Sequence, residues 1–266
     1  HTKHMKFGAE NAREGEGAMA RITALINQKG GVAKTTTAHA LAVGLARQGK
    51  RVLAIDCDPQ GNLSMSMAAD NQSGATMYEV MKGTVTAREA IQHTAACDII
   101  PANTILAGIE QELHSVGKEM TLREKLRDEE SGVADDYDYI LIDCNPSLGL
   151  LLTNVLVASN QVIIPVQTQY FATQGLSSLE GVIGNVRMTL NADLTTVNIL
   201  LTFKDKTSVA TAVTETLREQ YPQSVFATEI TRKQEAINSS MMGKPAGGDT
   251  GAEYRALADE LIAREG

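Results

Sequence analysis

Two lysines, a glycine pair and a threonine run lie together in NQKGGVAKTTT, residues 27–37. Acids follow or end two apolar runs further on: Asp56 and Asp58 in RVLAIDCDP (51–59), and Asp143 in YDYILIDC (137–144). Around Lys29, Gly30, Gly31 and Lys34, successive backbone N–H groups, a helix dipole and a lysine ammonium would converge on a polyphosphate. Thr35 could place a hydroxyl on Mg²⁺, Asp143 could support that metal, and Asp58 could orient an attacking water. Thr35, Asp58 and Asp143 are thus the candidate metal set. The stretch nevertheless fails the strict phosphate-loop pattern G-x-x-x-x-G-K-[ST] at both glycines, because Gln28 and Ala33 occupy them.

Such chemistry needs strands that end at one edge and a helix that starts there. RITALIN (21–27) reads as a first strand, and KTTTAHALAVGLARQGK (34–50) as a helix with Ala38, Leu41, Ala42 and Leu45 on one face. Further strands are expected at 51–59, 97–102, 137–144, 161–167, 196–203 and 225–230. Helices are expected near 104–115, 120–130, 148–159, 173–190, 208–220 and 251–264. This alternation predicts a three-layer α/β fold, a mostly parallel twisted sheet flanked by helices, with ligands bound outside the carboxyl ends of its strands. A single domain over 21–266 is expected, preceded by a disordered leader at 1–20 in which Met19 is a candidate natural start.

The 266 residues carry a formal net charge of -8, so any contact with nucleic acid must come from a local basic patch. Cys57, Cys97 and Cys144 lack metal-site spacing and suit free thiols in a reducing compartment. No apolar run approaches the roughly 18 residues of a membrane span, and there is no secretory signal pattern. The expected location is cytoplasmic.

KGGVAKTTT, RVLAIDCDPQGN, YDYILIDCNPSLG and VIIPVQTQYFATQGLSSL occur in the order found in the ParA family of deviant-Walker partition ATPases. Across about residues 21–264 the chain resembles that family, which includes Soj-like chromosomal proteins and is cousin to MinD. The resemblance implies a slow, partner-stimulated ATPase using ATP, ADP and Mg²⁺. It implies a nucleotide-sandwich homodimer, a ParB-like centromere-binding partner, non-specific double-stranded DNA as a track, no membrane, and association with the nucleoid.

By the same resemblance Lys34 is the Walker lysine, and Lys29 is the signature lysine that reaches phosphates on the other subunit. With Asp58, these are the candidate catalytic residues. Gly30, Gly31, Val32, Ala33, Lys34, Thr35 and Thr36 would line the phosphates, while Phe203, Ile230 and Thr231 would lie near the adenine. Lys206, Arg232, Lys233 and Lys244 are candidate DNA contacts.

The chain departs from the family at three places. Ala33 replaces a glycine, which strains the loop if that position needs φ > 0. Asn145 replaces a proline, with little expected effect. Glu235 stands where the family carries a DNA-binding arginine. A nucleotide-dependent scaffold with little turnover is therefore an alternative, as is a MinD-like positioning ATPase. The latter would need a basic amphipathic C-terminal helix, and GAEYRALADELIAREG looks like an ordinary packing helix instead.

Overall fold

A computed structural model describes residues 19–169, 172–231 and 248–265. Most of the expected leader lies outside them, but Ala20, its last residue, is fully buried and its N–H bonds to the Ala134 carbonyl at 3.1 Å. The strands are β1 (Arg21–Leu25), β2 (Val52–Cys57), β3 (Gln92–His93), β4 (Asp98–Ile100), β5 (Tyr139–Cys144), β6 (Gln161–Gln167), β7 (Thr196–Lys204) and β8 (Val225–Thr231). They form one sheet in the order β3-β4-β2-β5-β1-β6-β7-β8, parallel throughout except for the β3–β4 pair. The expected three-layer α/β arrangement is what the chain adopts.

β2 and β5 are buried at every position, as strands covered on both faces must be. Alternation along them sorts side chains between two cores. Leu53, Ile55, Cys57, Ile140, Ile142 and Cys144 share one. Ala54, Leu141 and Tyr139 share the other with helices α1 (Lys34–Arg47) and the C-terminal α9 (Gly248–Glu265). By this period of two, Asp56 and Asp143 point toward the α1 face.

The first core is covered by α3 (Met77–Lys82), α5 (Thr121–Arg127), α6 (Leu150–Ala158), α7 (Ala172–Thr189) and α8 (Ser208–Gln220). Two short helices, α2 (Asn62–Ser66) and α4 (Ile109–Glu112), complete the set among the described residues. Helix α3 was not expected, yet it has a capping box: the Tyr78 N–H donates to Thr76 Oγ1 at 3.3 Å and the Thr76 N–H to Glu79 Oε2 at 2.8 Å. Strand β3 was also missed, whereas β4 falls inside the strand expected at 97–102. Two residues of strand carry no readable alternation.

Helix α9 buries Tyr254, Leu257, Ala258 and Leu261 against α1 and β8. Its apolar stripe is therefore occupied by packing, as expected of an ordinary packing helix. Arg264 fastens its end: it donates to Val225 O at 2.7 Å, Asn198 Oδ1 at 2.9 Å and Gln223 O at 3.1 Å, and lies 4.3 Å from the centre of the Phe226 ring. Arg264→Ala is expected to lower stability by about 2–3 kcal/mol in urea unfolding, since carbonyls lose charged donors and the ring loses its cover. Arg264→Lys should recover less than half of that, because a point ammonium cannot reproduce the fork.

Candidate functional site

The Lys29–Ala33 turn leaves β1 and delivers the chain into α1. Ala33 sits at φ 72°, ψ 29°, and Gly31 at φ 71°. Left-handed geometry at Gly31 is cost-free, but at Ala33 the Cβ meets the strain anticipated from the missing glycine. The turn is braced from outside: Thr202 Oγ1 on β7 donates to Val32 O at 3.1 Å, and Gln167 Nε2 at the end of β6 donates to Gly31 O at 2.7 Å.

This turn opens onto a cleft of about 950 Å³ at the carboxyl ends of the central strands. Gly30, Gly31, Ala33, Lys34, Thr35, Thr36, Asp58, Phe203 and Ile230 all line it, so most of the residues expected to act together are brought together. Val32 contributes no side chain to it, being buried in the protein. Thr231 is also turned elsewhere: its N–H and hydroxyl go to Glu253 at 3.0 and 2.6 Å. Phe203, half-buried at the cleft wall, has φ 50°. For a bulky side chain this is a strained conformation, and such strain gathers at ligand sites.

Thr35 Oγ1 donates to Asp143 Oδ2 at 2.6 Å, while Asp143 Oδ1 is buried without a hydrogen-bond partner. A fully buried carboxylate with an idle oxygen beside a hydroxyl fits a hydrated divalent cation, whose waters would supply the missing donors. Among the described residues no cluster of three or more His, Cys, Asp or Glu could hold a metal alone. A Mg²⁺ ion here would need phosphate oxygens for the rest of its shell, which is its usual habit. Burial drives the Asp143 carboxyl well above its usual range and the charge of Asp56 adds to this, against Thr35 and Lys34. Burial lowers the Lys34 ammonium, opposed by Asp143, Cys144 and Asp58. Its Nζ rests 3.3 Å from Lys29 O.

Asp56 emerges as a structural partner that sequence reasoning left without a role. It pairs in register with Asp143 across β2–β5. Its Oδ2 accepts from Ser64 N–H at 2.9 Å and Ser64 Oγ at 2.7 Å, and its Oδ1 from Asp58 N–H at 3.0 Å. It therefore shapes the turn that carries Asp58, whose own Oδ1 accepts from Gln60 N–H at 2.9 Å. Burial pushes Asp56 up to about 6, against the Ser64 hydrogen bonds. His39, Tyr254 and Asn145 are further cleft residues.

Lys29 is exposed and its ammonium contacts Gln167 Oε1 at 3.0 Å and Gln169 Oε1 at 2.6 Å in the same chain. Lys206 is exposed beyond β7. Arg232, Lys233, Glu235 and Lys244 lie outside the described residues.

The family described as AAA domain matches residues 20–196. The chain is 39% identical over 232 residues to the sporulation initiation inhibitor protein Soj of Bacillus subtilis, covering 85% of this chain and 90% of that one. The chain belongs to the ParA/Soj family of P-loop ATPases. It is also 39% identical over 262 residues to the chromosome partitioning protein ParA of Myxococcus xanthus, with 94% and 91% covered. Among solved structures, a cobyrinic acid a,c-diamide synthase from Mycobacterium smegmatis with bound ADP and magnesium superposes with TM-score 0.81 at 34% identity, covering 93% of this chain and 96% of that one.

Two measurements follow from the site of this ParA-family chain. Ala33→Gly should raise stability by up to about 1 kcal/mol in denaturant unfolding, the relief of a left-handed Cβ exceeding the added chain entropy. Burial also lowers the His39 imidazole below its ordinary 6.5. The folded state then holds fewer protons than the unfolded state below that pH, so this contribution is full above about 6.5 and is lost on acidification. His39→Gln should flatten the decline in stability between about pH 7 and 5, and an unchanged slope would show that His39 does not contribute to it.

Proposed function

We propose that this chain is a single-domain, MgATP-hydrolysing switch that dimerises around nucleotide and moves or positions DNA with a ParB-like partner. One observation carries the reading: Lys34 and Thr35 line a cleft with room for a nucleotide beside a strained phosphate-type turn, and Thr35 bonds Asp143 where β5 ends. The identity to Soj and ParA supports the partition role. The ADP and magnesium in the M. smegmatis structure support the choice of ligands.

In this reading Gly30, Gly31, Ala33 and Thr36 offer backbone and hydroxyl groups to the phosphates. Lys34 neutralises charge on the transferring phosphoryl group, and Lys29 of one protomer completes the site of its partner. Mg²⁺ supplies charge stabilisation when bound, held by Thr35 and through water by Asp143. Asp58 orients the attacking water. Phe203 and Ile230 form the apolar wall for the base. Completion of the site by a second subunit makes turnover slow in the monomer and couples it to assembly.

DNA binding would rest on Lys206 together with Arg232, Lys233 and Lys244, doubled in the dimer. Salt-sensitive, sequence-independent affinity is the expected form, because an acidic chain can hold phosphates only through such local contacts. The proposed location is the cytoplasm, at the nucleoid.

The name of the M. smegmatis relative raises amide synthesis as a second reading. Release of ammonia from glutamine would call for a nucleophilic thiolate. Cys57 and Cys144 are buried and their thiols are pushed well above the ordinary range by burial, and Cys97 is pushed up to about 12 for the same reason. None is poised for attack. The partition reading is preferred.

Its test is ATP turnover with and without duplex DNA and a ParB-like partner. Lys34→Ala should abolish turnover in every condition, and Lys206→Glu should weaken ATP-dependent binding to random duplex. Turnover that is absent from the wild type under all conditions would favour the nucleotide-dependent scaffold.

A further inference from the structure

Lys29 is held inside its own chain by the end of β6. Besides the two contacts from Gln167 and Gln169, Asn27 Nδ2 donates to Pro165 O at 2.7 Å, and Asn27 Oδ1 accepts the Lys29 N–H at 2.9 Å. Gln167 works with both ends of its amide, its Oε1 on Lys29 and its Nε2 on Gly31 O. The position of the lysine is thus mechanically tied to the carbonyl of the phosphate-type turn.

Both acceptors on the ammonium are neutral. A carboxylate in their place would form an ion pair that competes with phosphate for the same charge. Amide oxygens are weaker acceptors for an ammonium than oxyanions, because the hydrogen bond gains charge assistance from only one side. The ammonium is consequently oriented without being neutralised, and a polyphosphate can take it over.

We propose that Gln167 and Gln169 are positioning residues that park Lys29 within its own subunit, and that transfer of its ammonium from these amides to phosphate gates ATP-driven self-association. The gating consequence rests on the dimer reading above. The parked position itself does not. Strengthening the hold should slow assembly, and releasing it should hasten assembly at the cost of a less ordered lysine.

The test uses the full chain without nucleotide and follows acetylation of Lys29 by acetic anhydride with mass spectrometry. Relative to wild type, the double variant Gln167→Leu/Gln169→Leu should raise the rate about fivefold, the equivalent of one hydrogen bond, and Gln169→Glu should lower it. Gln169 is exposed, so the second variant leaves packing intact. ATP-driven self-association, followed by light scattering, should be slower in Gln169→Glu and faster in the double variant. In a Lys29→Gln background the differences should vanish. Equal Lys29 reactivity in all three proteins overturns the proposal. A reactivity shift with unchanged association rates overturns the gate. A reactivity shift with no ATP-driven association in any protein supports the positioning role and refutes the dimer reading instead.

Discussion

Two carboxylates, Asp56 and Asp143, lie side by side in register and fully buried on the α1 face of the sheet. Bare burial of such a pair is unfavourable, so the surrounding chain must supply donors, cations or both. Asp56 is satisfied by the turn after β2. Asp143 is only half satisfied, by Thr35. That asymmetry divides their work. One acid holds the scaffold in shape, and the other keeps a buried oxygen unpaired behind Thr35, which lines the cleft.

The turn before α1 is governed by the same requirement. Lys34 can approach Asp143 only if the chain reverses sharply out of β1, and that reversal is where Ala33 is forced to φ 72°. A strained residue persists when neighbours over-determine it. Here the bracing comes from Thr202 and Gln167, which hold the carbonyls of Val32 and Gly31 from two other strands. The phosphate-type turn is thus a product of the sheet as much as of its own sequence. On the opposite side, Arg264 and α9 hold β7 and β8, placing Phe203 and Ile230 along the same cleft.

The strands were legible because a parallel sheet covered on both faces writes continuous apolar runs, and QVIIPVQ matches β6 from end to end. The acids ending those runs pointed to the site, since an acid at the close of an apolar strand has no packing reason to be there. Helix α3 was missed although Thr76, Glu79 and Gly83 carry its start and stop signals, because six residues give too little periodicity to stand out. Contacts such as Asp56 with Ser64, or Lys29 with Gln167 and Gln169, depend on strand order and register, which local pattern does not encode. The side of the chain to which Thr231 turns was hidden for the same reason.

We propose that Thr35 and, through water, the unpaired oxygen of Asp143 would hold a Mg²⁺ brought with nucleotide. Calorimetric titration of ATP, with Mg²⁺ and with chelator, tests it most directly on the wild type and on Asp143→Asn. Wild-type affinity should fall by about tenfold or more on chelation, the equivalent of about 1.4 kcal/mol, and Asp143→Asn should fold normally while losing most of that dependence. Undiminished Mg²⁺ dependence in Asp143→Asn would contradict the account.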